Sequence, residues 1–145
     1  MIVVNNETYG QDTAEYRTEL DSFIKVTQSG NLNDGNSSFV VNYKDGMTAY
    51  FGMDSNSRNV PNGAPAILNW NIQMKHDATA KNYIHYVYQP YGDGELLLKD
   101  IFYTGDSEST EGNRKVRFFY DDRSDKSFSY LVGGKSEITI KLINL

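Results

Sequence analysis

The chain has two histidines, His76 and His85, and acid–base or nucleophilic chemistry near neutral pH would start with one of them. His76 stands beside Asp77 in a predicted turn, and His85 lies between Ile84 and Tyr86 in a predicted strand. A serine nucleophile also needs a sharp turn that presents its hydroxyl to the histidine, and no Gly-x-Ser-x-Gly elbow occurs. The two residues therefore read as a solvated turn histidine and a hydrogen-bonded strand histidine. Glu95 and Asp100 are the carboxylates that a glycosidase would pair across a scissile bond. Acidic residues recur along polar strand faces too often for that pair to mark a site. The expectation is a protein that is not an enzyme.

Metal and cofactor chemistry is as thinly supplied. With no cysteine and two separated histidines, no transition-metal site is expected. Hard oxygen ligands cluster at residues 106–112 and 121–125, but neither follows the spacing of a calcium loop, and Arg123 puts a cation inside the second. Residues 54–58 begin like such a loop and fail at Arg58. Gly92, Gly94, Gly133 and Gly134 fall at hairpin turns with no following helix to hold a phosphate. Arg114, Lys115 and Arg117 alternate with Val116, Phe118 and Phe119, the chemistry of a single-strand nucleic-acid surface. Asp121 and Asp122 follow at once, and the net charge is −5, so no nucleic-acid partner is expected. No cofactor is expected either.

One cluster rises above this background. Tyr83, Tyr86, Tyr88, Tyr91 and Tyr103 crowd around one predicted hairpin, interleaved with Ile84 and Val87. Its second strand, with Leu96, Leu98 and Phe102 against Leu97, Ile101 and Tyr103, is apolar on both faces. Such a hairpin either lies between two layers or offers its second face to something outside. Tyrosine suits an interface, where the ring is buried and the hydroxyl stays wet. These five tyrosines are the partner-binding candidates.

The elements that must position them follow from a period of two. In residues 66–75, Ala66, Leu68, Trp70, Ile72 and Met74 alternate with Asn69, Asn71, Gln73 and Lys75, as a half-buried strand requires. Asp45-Gly46 between residues 38–43 and 47–53 marks a hairpin. Further strands are predicted over 82–89, 95–103, 114–120, 127–132 and 137–143. Residues 12–28 admit two readings: a helix capped at Asp12, with Tyr16, Leu20, Phe23 and Ile24 on one face, or a strand with only Phe23 out of step, bent near Asp21 and Ser22. The strand is preferred because residues 23–27 are β-prone. The expected fold is all-β: an antiparallel β-sandwich or flattened barrel of roughly nine strands, with at most one short helix near residues 13–24.

With 145 residues, 13% of them aromatic, and no composition break, residues 1–145 read as a single β-sandwich domain. Residues 1–7 have no basic segment followed by an apolar one, so a cytoplasmic location, or release as in a virion without a standard signal peptide, is expected. No apolar run is long enough to span a membrane. The leading expectation is a structural subunit, a homo-oligomer or part of a larger protein assembly such as a virion tail-tube or capsid-decoration protein. A carbohydrate-binding module is the alternative, its glycan held by Trp70, Tyr88, Tyr91, Asn56, Asn59 and Asn62. A membrane-acting β-protein toxin, inserting residues 14–26 as a hairpin, is the minor one.

Overall fold

A computed structural model describes residues 1–20, 22–108 and 111–145. Thirteen strands run through them in chain order: β1 (Ile2–Val3), β2 (Glu15–Arg17), β3 (Lys25–Ser29), β4 (Ser38–Asn42), β5 (Thr48–Phe51), β6 (Arg58–Asn59), β7 (Asn69–Trp70), β8 (Ile72–His76), β9 (Tyr83–Tyr91), β10 (Glu95–Gly105), β11 (Arg114–Arg117), β12 (Phe119–Leu131) and β13 (Gly134–Asn144). The all-β antiparallel class is as the alternation predicts. Nine strands form one sheet in the order β1-β2-β3-β4-β5-β8-β9-β10-β11, while β6–β7 and β12–β13 pair separately. The sheet is a meander interrupted once, by the excursion that carries β6 and β7. It is not closed into a barrel. Its edges are β1, two residues long, and β11, so neither offers a ladder long enough to zip against the other.

Local chemistry explains each turn. At Asp45-Gly46 the Gly46 φ is 83°, and the Asp45 carboxylate accepts from Met47 N at 3.0 Å, which closes β4 on β5. Among the described residues no helix forms near residues 13–24, and residues 14–26 are not one strand. Thr13 sits at φ 64°, which a helix cannot absorb at its start. The Asp12 carboxylate accepts instead from Gly30 N at 2.7 Å. The chain then reverses, so that β2 and β3 pair as Glu15↔Thr27, Tyr16↔Val26 and Arg17↔Lys25. Phe23, the residue out of step in the alternation, has φ 57°. The expected bend at Asp21 lies outside the described residues, while Ser22 N donates to Thr18 Oγ1 across the reversal.

Two other strands are broken where the alternation reads through. Residues 66–75 divide into β7 and β8 at Asn71, whose N–H goes to Ser57 O. A register shift between Tyr50 and Phe51 accommodates the break. Residues 66–68 are not strand, and Ile67, out of phase with Leu68, is the buried side chain there. Residues 114–120 divide at Phe118, whose N–H still goes to Lys99 O of β10 before the chain leaves to pair with β13. The acidic run 121–125, expected as loop, lies inside β12. There the register jumps between Asp122 and Ser127, a bulge braced by an Arg123–Asp125 ion pair.

The core is thin. Ala14, Tyr16 and Val26 are buried together, with Val3, Ile24, Phe39 and Val41 packed around them. Gln28 is buried beside them, and burying an amide is costly unless it is bonded. Its Oε1 accepts from Tyr16 Oη at 2.5 Å and its Nε2 donates to Gly30 O at 2.6 Å. The β12–β13 hairpin adds a second layer, anchored on the main sheet by buried Ile140 and by one carboxylate. Glu95, itself buried, accepts from Thr139 N at 2.9 Å and Thr139 Oγ1 at 2.6 Å.

Candidate interaction surface

The five tyrosines named from the sequence do not form one surface. Tyr83 is buried, its ring 5.2 Å from His76 and stacked 6.2 Å from His85. Tyr86 and Tyr88 project to the opposite side of β9 and are half-buried. Burial pushes the Tyr86 phenol up, and burial with Tyr86 alongside pushes Tyr88 up to about 12. The Tyr88 hydroxyl donates to Ile72 O at 2.8 Å. Tyr91 packs on Tyr120 at 5.6 Å, and Tyr103 is half-buried. The hairpin that carries them is interior to the nine-stranded sheet, between β8 and β11.

The residues weighed for catalysis and ligation are engaged elsewhere. His76 is the last residue of β8 rather than a turn residue and is half-buried: Nδ1 meets Asp77 O at 2.7 Å and Nε2 meets Tyr50 Oη at 3.3 Å. His85 Nε2 is buried and finds no hydrogen-bond partner among the described residues. Asp54 accepts from Ser57 N and Gln73 Nε2, and among the described residues no bond joins His85 to either Asp54 or Ser57. Glu95 is spent on β13. Asp100 is spent on Arg117, through bonds of 2.7 and 3.1 Å that hold its carboxyl below the usual carboxylate range. Lys115 lies over the Phe102 ring, so the basic strand spends its charges on its neighbour. Among the described residues no group of three or more His, Asp or Glu is placed to hold a metal ion. Among them, too, no helix is long and apolar enough to cross a membrane. Trp70 packs edge-on against Phe39 at 5.2 Å and donates to Ser37 O at 2.9 Å, as a core residue does.

What the chain does present is the β12–β13 hairpin. Phe128 is 67% exposed and Tyr130 72%, and Phe119, Leu131, Ile138, Leu142 and Ile143 are exposed with them. Isolated apolar side chains on a surface are ordinary; here the register puts Phe128 and Tyr130 on one face of the hairpin and Leu131 and Ile138 on the other, so both faces present apolar area. The total surface is large as well. A monomeric protein of 16.4 kDa exposes roughly 7,500 Å², whereas this chain exposes 8769 Å². The surplus, on the order of 1,200 Å², exceeds one side of a standard protein–protein interface at about 800 Å². A second apolar region, a groove of about 410 Å³ bordered by Tyr9, Tyr16, Val26, Phe39 and Trp70, opens on the β2–β5 face.

The sequence predicts the strands 127–132 and 137–143 but does not single them out as a surface, and the five charges in residues 121–126 hide that the first strand begins at Phe119. One signal was available. Residues 127–132, Ser-Phe-Ser-Tyr-Leu-Val, carry no charge and no proline, and β13 carries Ile138, Ile140 and Leu142 on one face and Ile143 on the other.

No protein-family model matches the chain, and no curated protein matches it significantly. Solved structures match it in fold. The N-terminal domain of the effector protein SpvB from Salmonella typhimurium strain LT2 superposes with a TM-score of 0.75 at 13% identity, over 89% of this chain and 55% of that one. TcdB2–TccC3–Cdc42 matches with a TM-score of 0.75 at 13% identity, over 97% of this chain and 9% of the other. TcdB2–TccC3 matches with a TM-score of 0.75 at 12% identity, over 97% and 10%. The chain thus spans about half of one of these and about a tenth of the others. At these identities the likeness is one of fold: an all-β unit that also occurs within much longer polypeptides.

Proposed function

We propose that this chain is a non-catalytic β-module that works by taking a place in a larger protein assembly, with the β12–β13 hairpin as its contact surface. The carrying observation is the exposure of Phe128 and Tyr130, the two most exposed aromatic rings of the described residues, on a hairpin that pairs separately from the main sheet. A thin core points the same way, since a module that completes its burial against a neighbour needs less of its own. The fold likeness to a bacterial effector domain and to TcdB2–TccC3 assemblies favours an effector- or toxin-type assembly over the virion subunit expected from the sequence. It does not favour the membrane-inserting form of that idea, because residues 14–26 hold two short strands rather than one long alternating segment.

The test is the native mass of the protein in its own source. The expected result is a mass several-fold above 16.4 kDa that falls to the single-chain value in Phe128→Lys, with the circular dichroism unchanged. A single-chain mass in the native source, or an assembly indifferent to substitution anywhere on the hairpin, would overturn the proposal.

A further inference from the structure

We infer that the outer edge of β12 pairs, strand to strand, with the same edge of a second copy of this chain, about a two-fold axis at Ser129. This rests on the assembly reading above and names its partner. The ladder geometry supplies the first step. On β13, Lys135 N donates to Asn62 O at 2.9 Å, Glu137 N to Asp93 O at 2.8 Å and Thr139 N to Glu95 Oε2 at 2.9 Å. These three residues therefore direct their main chain away from β12. Successive residues of a strand alternate in direction, so Ser136 and Ile138 face β12, and their partners Ser129 and Ser127 face β13. Phe128 and Tyr130 then direct their N–H and C=O groups to the other side of β12. Among the described residues no strand pairs there.

An open edge is a template for another strand unless it is short, charged, bulged or covered. The edges of the main sheet are protected in that way: β1 has two residues, and β11 reads Arg-Lys-Val-Arg. The first half of β12 is protected by its charges and its bulge. Residues 127–132 have none of these devices.

Two observations select a second copy as the occupant. A chain of net charge −5 repels its own copies, so self-contact is favoured where charge is absent, and residues 127–132 are an uncharged stretch on the exposed edge. The edge also complements an antiparallel copy of itself, since residues 127–132 carry neither charge nor proline and Phe128 and Tyr130 stand symmetrically about Ser129. With the axis at Ser129, Phe128 lies opposite the Tyr130 of the second copy, and the reverse. Each such pair exchanges two main-chain bonds, and the Phe128–Tyr130 contact already present in one chain, at 6.2 Å, extends into a cluster of four rings.

The absence of cysteine makes the test direct. On the axis, Ser129 meets its own copy as a non-hydrogen-bonded pair with Cα atoms about 4.5 Å apart, inside the disulfide range of about 4.4–6.8 Å. Ser124, five residues away, would lie roughly 30 Å from its copy. Mild oxidation should link Ser129→Cys into a covalent dimer at least tenfold more completely than Ser124→Cys. Tyr130→Pro removes an N–H that the β12–β13 ladder does not use, so it should weaken dimerisation at least tenfold in sedimentation equilibrium with the melt unchanged. If that variant unfolds, Phe128→Lys, which sets like charges close to the axis, should do the same. Equal linking at 124 and 129, or a dimer indifferent to Tyr130→Pro and Phe128→Lys, overturns the inference and leaves assembly through another surface standing. So does a strict monomer whose Phe128 and Tyr130 amides become protected only on binding a different chain. A strict monomer in every setting, including its native source, overturns both this inference and the function proposed above.

Discussion

The β9–β10 and β12–β13 hairpins are built from similar material and meet different fates. Both are long, both carry large apolar side chains on two faces, and both close on glycine-rich turns. β9–β10 is flanked by β8 and β11 and half-buries its tyrosines. β12–β13 is held along the first half of β13 by Asn62, Asp93 and Glu95 and at the start of β12 by Tyr120, and leaves Phe128 and Tyr130 exposed. Apolarity on two faces therefore says that a hairpin will be covered twice, but not by what. The neighbours in the sheet decide that. For β9–β10 they are within this chain; for β12–β13 the described residues supply no further strand.

The strongest way to break this comparison is to truncate a ring in each hairpin. Tyr83→Ala removes a buried aromatic and should cost about 3–5 kcal/mol, read from a urea melt. A loss below about 1 kcal/mol would mean that β9–β10 is not interior. A smaller effect is expected at the joint between the hairpins. Glu95→Ala leaves Thr139 without its acceptor and should cost about 1–3 kcal/mol. Hydrogen exchange should show the loss confined to β13, with the β9 amides still protected.

The Asp100–Arg117 pair ties β10 to β11 and gives a pH signature. The native Asp100 pKa is depressed, first by the Arg117 hydrogen bond. Its contribution is therefore present above the unfolded carboxylate pKa of about 3.9 and is lost as pH falls through the lower native value. Arg117→Met should lower stability at pH 7, by a margin kept small because the guanidinium is exposed. The difference from wild type should shrink below about pH 4. A pH-independent difference would show that the pair contributes only packing. The smallest effect belongs to the exposed hairpin: Phe128→Ser should change monomer stability by less than about 0.5 kcal/mol. A cost like that of Tyr83→Ala would erase the distinction between the two hairpins.

The fold class was legible because period-two alternation and Asp45-Gly46 are local signals, and the structure keeps them where strands pair with adjacent ones. The errors arise where a turn or bulge depends on side chains reaching across. Thr13 and Phe23 take positive φ to let β2 fold back on β3. Asn71 leaves the ladder to serve Ser57. None of these contacts has a signature in the residue order, although Phe23 betrayed its turn by falling out of phase. The tyrosines were identified by composition, which records how much apolar area a hairpin carries but not which elements lie beside it. Phe128 and Tyr130 were placed on a strand, as they are, but the charges before them disguised its bulged first half as a loop and left its open edge unnoticed.

The account stands most directly on the amide exchange of Phe128 and Tyr130. In dilute monomer both N–H groups point to an open edge and should exchange rapidly, while the Tyr86 and Tyr88 amides stay protected inside the main sheet. Raising the protein concentration until it assembles should protect 128 and 130 by at least tenfold and leave 86 and 88 unchanged. Exchange at 128 and 130 that stays fast in the assembled protein, or is already slow in the monomer, would contradict the assignment of β12 as the contact edge.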